Sequence, residues 1–114
     1  FFFFLFQPAR KLIDAGAAVK LASDFNPGSS PSGNMNLVNA MSCIQMKMLP
    51  EEVINASTLN GAYAMELENE LGSITIGKAA NLIFTKPIPS LAYLFYSFGS
   101  NHIDKVMLKG NWVQ

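Results

Sequence analysis

Apolar residues Leu37, Met41, Ile44 and Met48 recur at spacings of four, three and four, with Val38 beside them, which is the period of a helix. Upstream, "QPARKLIDAGAAV" places Leu12 and Ile13 on one face and Arg10, Lys11 and Asp14 outside it, with Pro8 at the entry and Gly16 near the end. That pattern predicts a short amphipathic helix. "VKLAS", Val19 to Ser23, then reads as a short buried strand, so strand follows helix as in a parallel α/β layout. "LPEEVINASTLNGAYAMEL" predicts a further helix with Pro50 in its first turn, where Glu51 and Glu52 read as charges favoured by the helix dipole. "GSITIGKAANLIFT" and "IDKVMLKGNWVQ" read as short strands with tight turns, the second as a hairpin around Lys109 to Asn111. Between them, "KPIPSLAYLFYSFGSN" is broken by proline and rich in aromatics, and is expected to cover the rest.

Asp24 interrupts this pattern. It ends an apolar segment and is followed by "FNPGSSPSGN", a loop dense in turn formers at the carboxyl end of the expected strand. In barrels and open α/β sheets that is where active-site residues stand. Two readings of Asp24 are open: a side chain that caps its own turn, or a metal ligand or general base.

Composition narrows the setting. Eight basic residues balance eight acidic ones, so no surface for nucleic acid or an anionic membrane is indicated. Hydrophobic residues reach 50% and charged residues only 14%, an apolar balance for 114 residues, and part of the surface is expected to be covered by something else. A single cysteine, Cys43, favours a reducing compartment, with the cytoplasm the simplest assignment. "FFFFLF" is far shorter than the roughly 20 residues of a membrane helix. With no basic region or initiator Met beside it, the sequence reads as a piece of a longer chain.

The residues alone do not assemble a catalytic apparatus. A catalytic zinc takes about three protein ligands, and His102 is the one histidine, placed in a turn before the last strands. The methionines read as core filler, and "NPGSSPSG" has glycines but no lysine to complete a phosphate cradle.

Taken in order, "KLIDAGAAVKLASDFNPGSSPSGNMNLV", "MLPEEVINASTLNGAYAM", "GSITIGKAANLIF" and "YSFGSNHIDKVMLKG" resemble the carboxyl-terminal part of the imidazolonepropionases, metal-dependent amidohydrolases of histidine degradation. "SDFNPGSSPSGNM" is the specific element, whereas "GSITIGKAANLI" is shared more loosely by amidohydrolases. The resemblance implies an α/β fold: the last unit of a (β/α)8 barrel over residues 1–70, then strands of an accessory β-sandwich with a covering segment over 71–114. It implies hydrolysis of 4-imidazolone-5-propanoate to N-formimidoyl-L-glutamate by water activated on zinc or iron. Asp24 matches the aspartate that ends the eighth barrel strand, binds the metal and handles the proton of the attacking water. By the same resemblance Asn26 and Gly28 match positions that contact the substrate, with its carboxylate the expected partner.

A whole barrel takes about 250 residues, so the implied partner of this chain is the missing amino-terminal part with the remaining ligands, and its start falls just after the seventh strand. Pairing with a second copy is left open. Three positions depart from the family pattern: Leu49 where a threonine N-cap is usual, Phe6 in a stretch that tends to be polar, and His102 at a position usually apolar. The competing expectations are a piece of another amidohydrolase, a cyclic amidase or aminohydrolase, or a non-catalytic module that binds a partner or itself.

Overall fold

The computed structural model describes residues 5–113; Phe1 to Phe4, most of the initial phenylalanine run, lie outside them. Five helices and three strands follow in the order α1 (Ala9–Asp14), α2 (Met35–Ile44), α3 (Pro50–Ser57), α4 (Leu59–Ala64), β1 (Leu82–Thr85), α5 (Leu91–Tyr96), β2 (Ile103–Leu108) and β3 (Asn111–Trp112).

The core is helical. Ala9 of α1, Met48 of the loop before α3, Val53 and Ala56 of α3, and Phe95 of α5 are buried together, with Ile13, Leu21, Cys43, Met46 and Leu94 packed around them. The covering segment thus contributes a core residue, since Phe95 is only 2% exposed. On α2 the small residues Ala40 and Ser42 are buried, while Leu37 and Ile44 of the predicted apolar stripe are exposed. The buried Ser42 hydroxyl is satisfied by donating to the Val38 carbonyl at 2.8 Å.

Arg10 ties α1 to the start of α3. Its Nη1 and Nη2 donate to the two carboxylate oxygens of Glu52 at 2.8 and 2.9 Å, and its Nε donates to Asp14 at 2.9 Å. Glu52 Oε2 also accepts the Leu49 N–H at 2.8 Å. That is half of a capping box, because the Leu49 side chain has no acceptor to complete it. The Arg10 bond first, and the Leu49 N–H second, hold the Glu52 carboxyl below its usual range. Glu52 therefore does more than complement the helix dipole.

The long helix expected over residues 49–67 is two helices broken at Thr58, whose φ is −118° and ψ −80°. The Thr58 hydroxyl donates back to the Ile54 carbonyl at 2.7 Å, a local bond that competes with helix continuation. Nearby, Gly72 adopts φ +89° against α4, and a Cβ there would stand 2.7 Å from Ala62 Cβ. Only glycine fits both the backbone and the space.

Strands β1, β2 and β3 form an antiparallel sheet in that order, the last two as the expected hairpin. Phe84 and Trp112 meet on one face with ring centroids 5.2 Å apart, and Lys105 lies over the Trp112 ring at 5.6 Å. Two expected strands do not form among the described residues. "VKLAS" is not paired with any strand, and "GSITIG" leaves Ile74 and Ile76 standing in solvent. A strand exists only as part of a ladder, and neither stretch has a neighbouring strand among the described residues. No helix of the described residues is long and apolar enough to cross a membrane.

Candidate functional site

Asp24 occupies the left-handed region with φ 49°, unusual outside glycine and strained except where neighbours hold it. The holding group is the Asn26 carboxamide. Its Nδ2 donates to the Asp24 carbonyl at 2.7 Å and to Ser29 Oγ at 3.2 Å. Its Oδ1 accepts from the N–H groups of Gly28 at 3.0 Å and Ser29 at 2.8 Å. Asn26 N–H donates to the Ser30 carbonyl at 2.9 Å, and the Ser30 hydroxyl returns to the Ser23 carbonyl at 2.9 Å. Eight residues thereby close on themselves, with Asp24 at the mouth.

The Asp24 residue is exposed, and its carboxylate enters neither of the ion pairs found among the described residues, both of which belong to Arg10. Capping of its own turn is therefore done by Asn26, not by Asp24. The Asn26 and Gly28 donors are engaged within the loop, one of them by the longer bond to Ser29.

The segment leading to Asp24 is held from below by the broken helix pair. The Ala56 carbonyl, near the break at Thr58, accepts the Leu21 N–H at 3.1 Å. Asn60, two residues beyond the break, donates its Nδ2 to the Val19 carbonyl at 2.7 Å. Sequence reasoning missed Asn60, although an asparagine immediately before the internal Gly61 of an otherwise apolar helix was the available signal.

His102 lies apart from this loop: its Nε2 is 3.1 Å from the Ser97 carbonyl and its ring meets Tyr93 edge-on at 5.5 Å. Cys43 is half-buried, and burial pushes its thiol up, away from the thiolate that binds metal. Among the described residues no group of three or more histidine, cysteine or acidic side chains could hold a metal ion. Two open clefts, of about 170 and 290 Å³, lie elsewhere, one beside Ile13, Met48 and Asn60 and the other beside Ile74 and Ile76.

The model of the amidohydrolase family matches residues 6–113. The chain belongs to the amidohydrolase family. Among its amidohydrolase relatives, the imidazolonepropionase of Christiangramia forsetii is 58% identical over 108 residues, covering 95% of this chain and 26% of the relative. That of Flavobacterium johnsoniae is 61% identical over 105 residues, 92% of this chain and again 26% of the relative. The chain therefore spans about a quarter of the length of the curated relatives it matches.

Solved structures agree on the fold. A zinc-bound adenosine deaminase from Xanthomonas campestris superposes with TM-score 0.80 at 24% identity, over 94% of this chain and 28% of that one. An amidohydrolase from Thermotoga maritima does so with TM-score 0.71 at 23% identity, over 92% of this chain and 25% of that one. The chain is thus an α/β portion of an amidohydrolase.

Proposed function

We propose that this amidohydrolase chain is the carboxyl-terminal part of an imidazolonepropionase, within a parent of the relatives' length that hydrolyses 4-imidazolone-5-propanoate to N-formimidoyl-L-glutamate. The observation that carries the reading is the 58–61% identity to imidazolonepropionases across 92–95% of the chain. In this reading residues 1–70 complete the metal-dependent barrel and residues 71–114 supply sandwich strands. The open edges of "VKLAS" and "GSITIG" are then completed by strands from the rest of the parent. A cytoplasmic location follows from the same assignment, and association of two parents is compatible with it.

Asp24 is the residue proposed to reach the metal and the reacting water. Its carboxylate is exposed and unpaired, the state a metal-ligating or proton-accepting carboxylate requires, and an oxygen donor suits zinc or iron. One carboxylate is a single ligand, so the remaining donors come from the rest of the parent. The bound metal supplies Lewis acidity and lowers the pKa of its water. Asp24 accepts and returns the proton as the ring amide opens. Asn26 and Gly28 are proposed to meet the substrate carboxylate through donors now turned onto the loop, with the long Nδ2 contact to Ser29 the easiest to exchange.

The test is turnover by the full-length parent and by its Asp24→Asn variant, with metal content measured alongside. Loss of imidazolone with formation of formimidoyl-glutamate, abolished in the variant, is the expected result. A parent that leaves the imidazolone intact but releases ammonia from a purine or pyrimidine is an aminohydrolase. Wild-type turnover and metal content in Asp24→Asn exclude both roles of the carboxylate.

A further inference from the structure

Between Val19 and Ser23 the backbone groups with partners alternate with those without. The Val19 carbonyl accepts from Asn60 Nδ2, the Leu21 N–H donates to the Ala56 carbonyl, and the Ser23 carbonyl accepts from the Ser30 hydroxyl. Lys20 and Ala22 have no backbone partner among the described residues. In an extended segment residues two apart turn their peptide groups to the same edge. One edge is thus engaged along its length, and its two long-range anchors both come from the helix break at Thr58.

We propose that Asn60 is a positioning residue for the proposed metal and proton chemistry of Asp24. Asn60 is half-buried and 41 residues from Val19 in sequence, and its bond to Val19 is the shorter of the two long-range anchors, 2.7 Å against 3.1 Å. The carboxamide is the side chain that fits: it presents an N–H to the carbonyl without carrying a charge into the helix packing. The break at Thr58 gives both anchors their place: the Ala56 carbonyl just before it accepts the Leu21 N–H, and Asn60 just after it donates to the Val19 carbonyl. Asn60 touches neither substrate nor metal. It sets the height of the segment that ends in Asp24, and the Asn26 loop then sets the direction of that residue. The role rests on the proposed assignment of Asp24.

The experiment compares wild type, Asn60→Asp, Asp24→Asn and the double variant in the full-length parent, at a temperature well below every melting midpoint. Asn60→Asp is close to isosteric but replaces the donor with an acceptor facing the Val19 carbonyl. Its kcat is expected to fall about tenfold or more while KM changes by less than about threefold, because displacement of a reacting group by about 1 Å costs up to about a hundredfold. Zinc affinity, measured by competition with a chelator, is expected to fall as well, and to fall no further when Asn60→Asp is added to Asp24→Asn.

Unchanged kcat and zinc affinity in Asn60→Asp, whatever its melting midpoint, overturn the role, as does a full additional loss in the double variant. If Asn60→Asp does not fold, Asn60→Ser is judged by the same measurements. A parent that does not hydrolyse the imidazolone defeats the substrate assignment, yet the zinc affinities still decide whether Asn60 acts through Asp24.

Discussion

The Asn26 carboxamide donates to the main-chain carbonyl of Asp24 at 2.7 Å and so holds a carboxylate-bearing residue at φ 49°. The residue that bears the proposed chemistry and the residue that fixes its backbone are two apart. Asn26→Asp keeps the acceptor for Gly28 and Ser29 but removes the donor to Asp24. In the parent, kcat is expected to fall by about tenfold or more, as small displacements of a reacting group do. Steady-state kinetics with metal content as a control checks this.

Asp24→Gly separates stability from activity. Glycine adopts positive φ without a Cβ penalty, so this variant is expected to unfold later than wild type, by about 0.5–1 kcal/mol, while losing turnover. Denaturant unfolding of both proteins under one condition is the measurement; a destabilised Asp24→Gly would show that the loop is not strained there.

Sequence patterning reached most of the helical half, and its failures have physical causes. Pro8, Pro50 and the β2–β3 turn marked elements that formed, because entry prolines and hairpin turns act locally. "VKLAS" and "GSITIG" carry strand character but form no strand, because a strand needs a paired neighbour and neither stretch has one among the described residues. The apolar stripe Leu37, Met41, Ile44 and Met48 was visible, yet the side of α2 packed inward carries Ala40 and Ser42. Periodicity alone does not say which neighbour a face will meet. Asp24 stood out because a turn-rich loop follows it, whereas the roles of Asn60 and Asn26 in holding it depend on hydrogen bonds that spacing does not announce.

Acid is expected to weaken the link between α1 and α3. Glu52 has a folded pKa lowered first by the bidentate bond from Arg10 and then by the Leu49 N–H. A carboxylate shifted this way stabilises the fold above its ordinary range, near pH 4, and loses that contribution as pH falls through the depressed value. Melting midpoints between about pH 6 and pH 3 are therefore expected to decline less steeply in Glu52→Gln than in wild type, with the variant already lower at neutral pH. Parallel curves would show that the pair does not contribute.

Leu49→Thr is expected to stabilise α3 by about 1 kcal/mol, since threonine supplies the acceptor that the helix start lacks. Little burial is lost, because Leu49 is 57% exposed. Thermal melting of this variant, with the Glu52 side of the cap unchanged, is the check.

Gly72→Ala is expected to destabilise by about 2–3 kcal/mol, because the added methyl meets Ala62 and the φ is unfavourable for alanine. With Ala62 Cβ at 2.7 Å and the Thr58 carbonyl at 3.0 Å, neither neighbour is a flexible side-chain end. Gly77→Ala, with nothing near the added methyl, provides the comparison, since it shares the positive φ but not the crowding.

The bidentate clasp between Arg10 and Glu52 lies wholly within this stretch and closes its first helix onto its third. Under the proposed assignment, a parent opened just ahead of Pro8 would keep that clasp, the Phe95 core and the Asn60 anchor in one piece. On that assignment the stretch before Pro8 would serve as a seam for a split enzyme, whose two separately made halves would be tested by turnover recovered on mixing them.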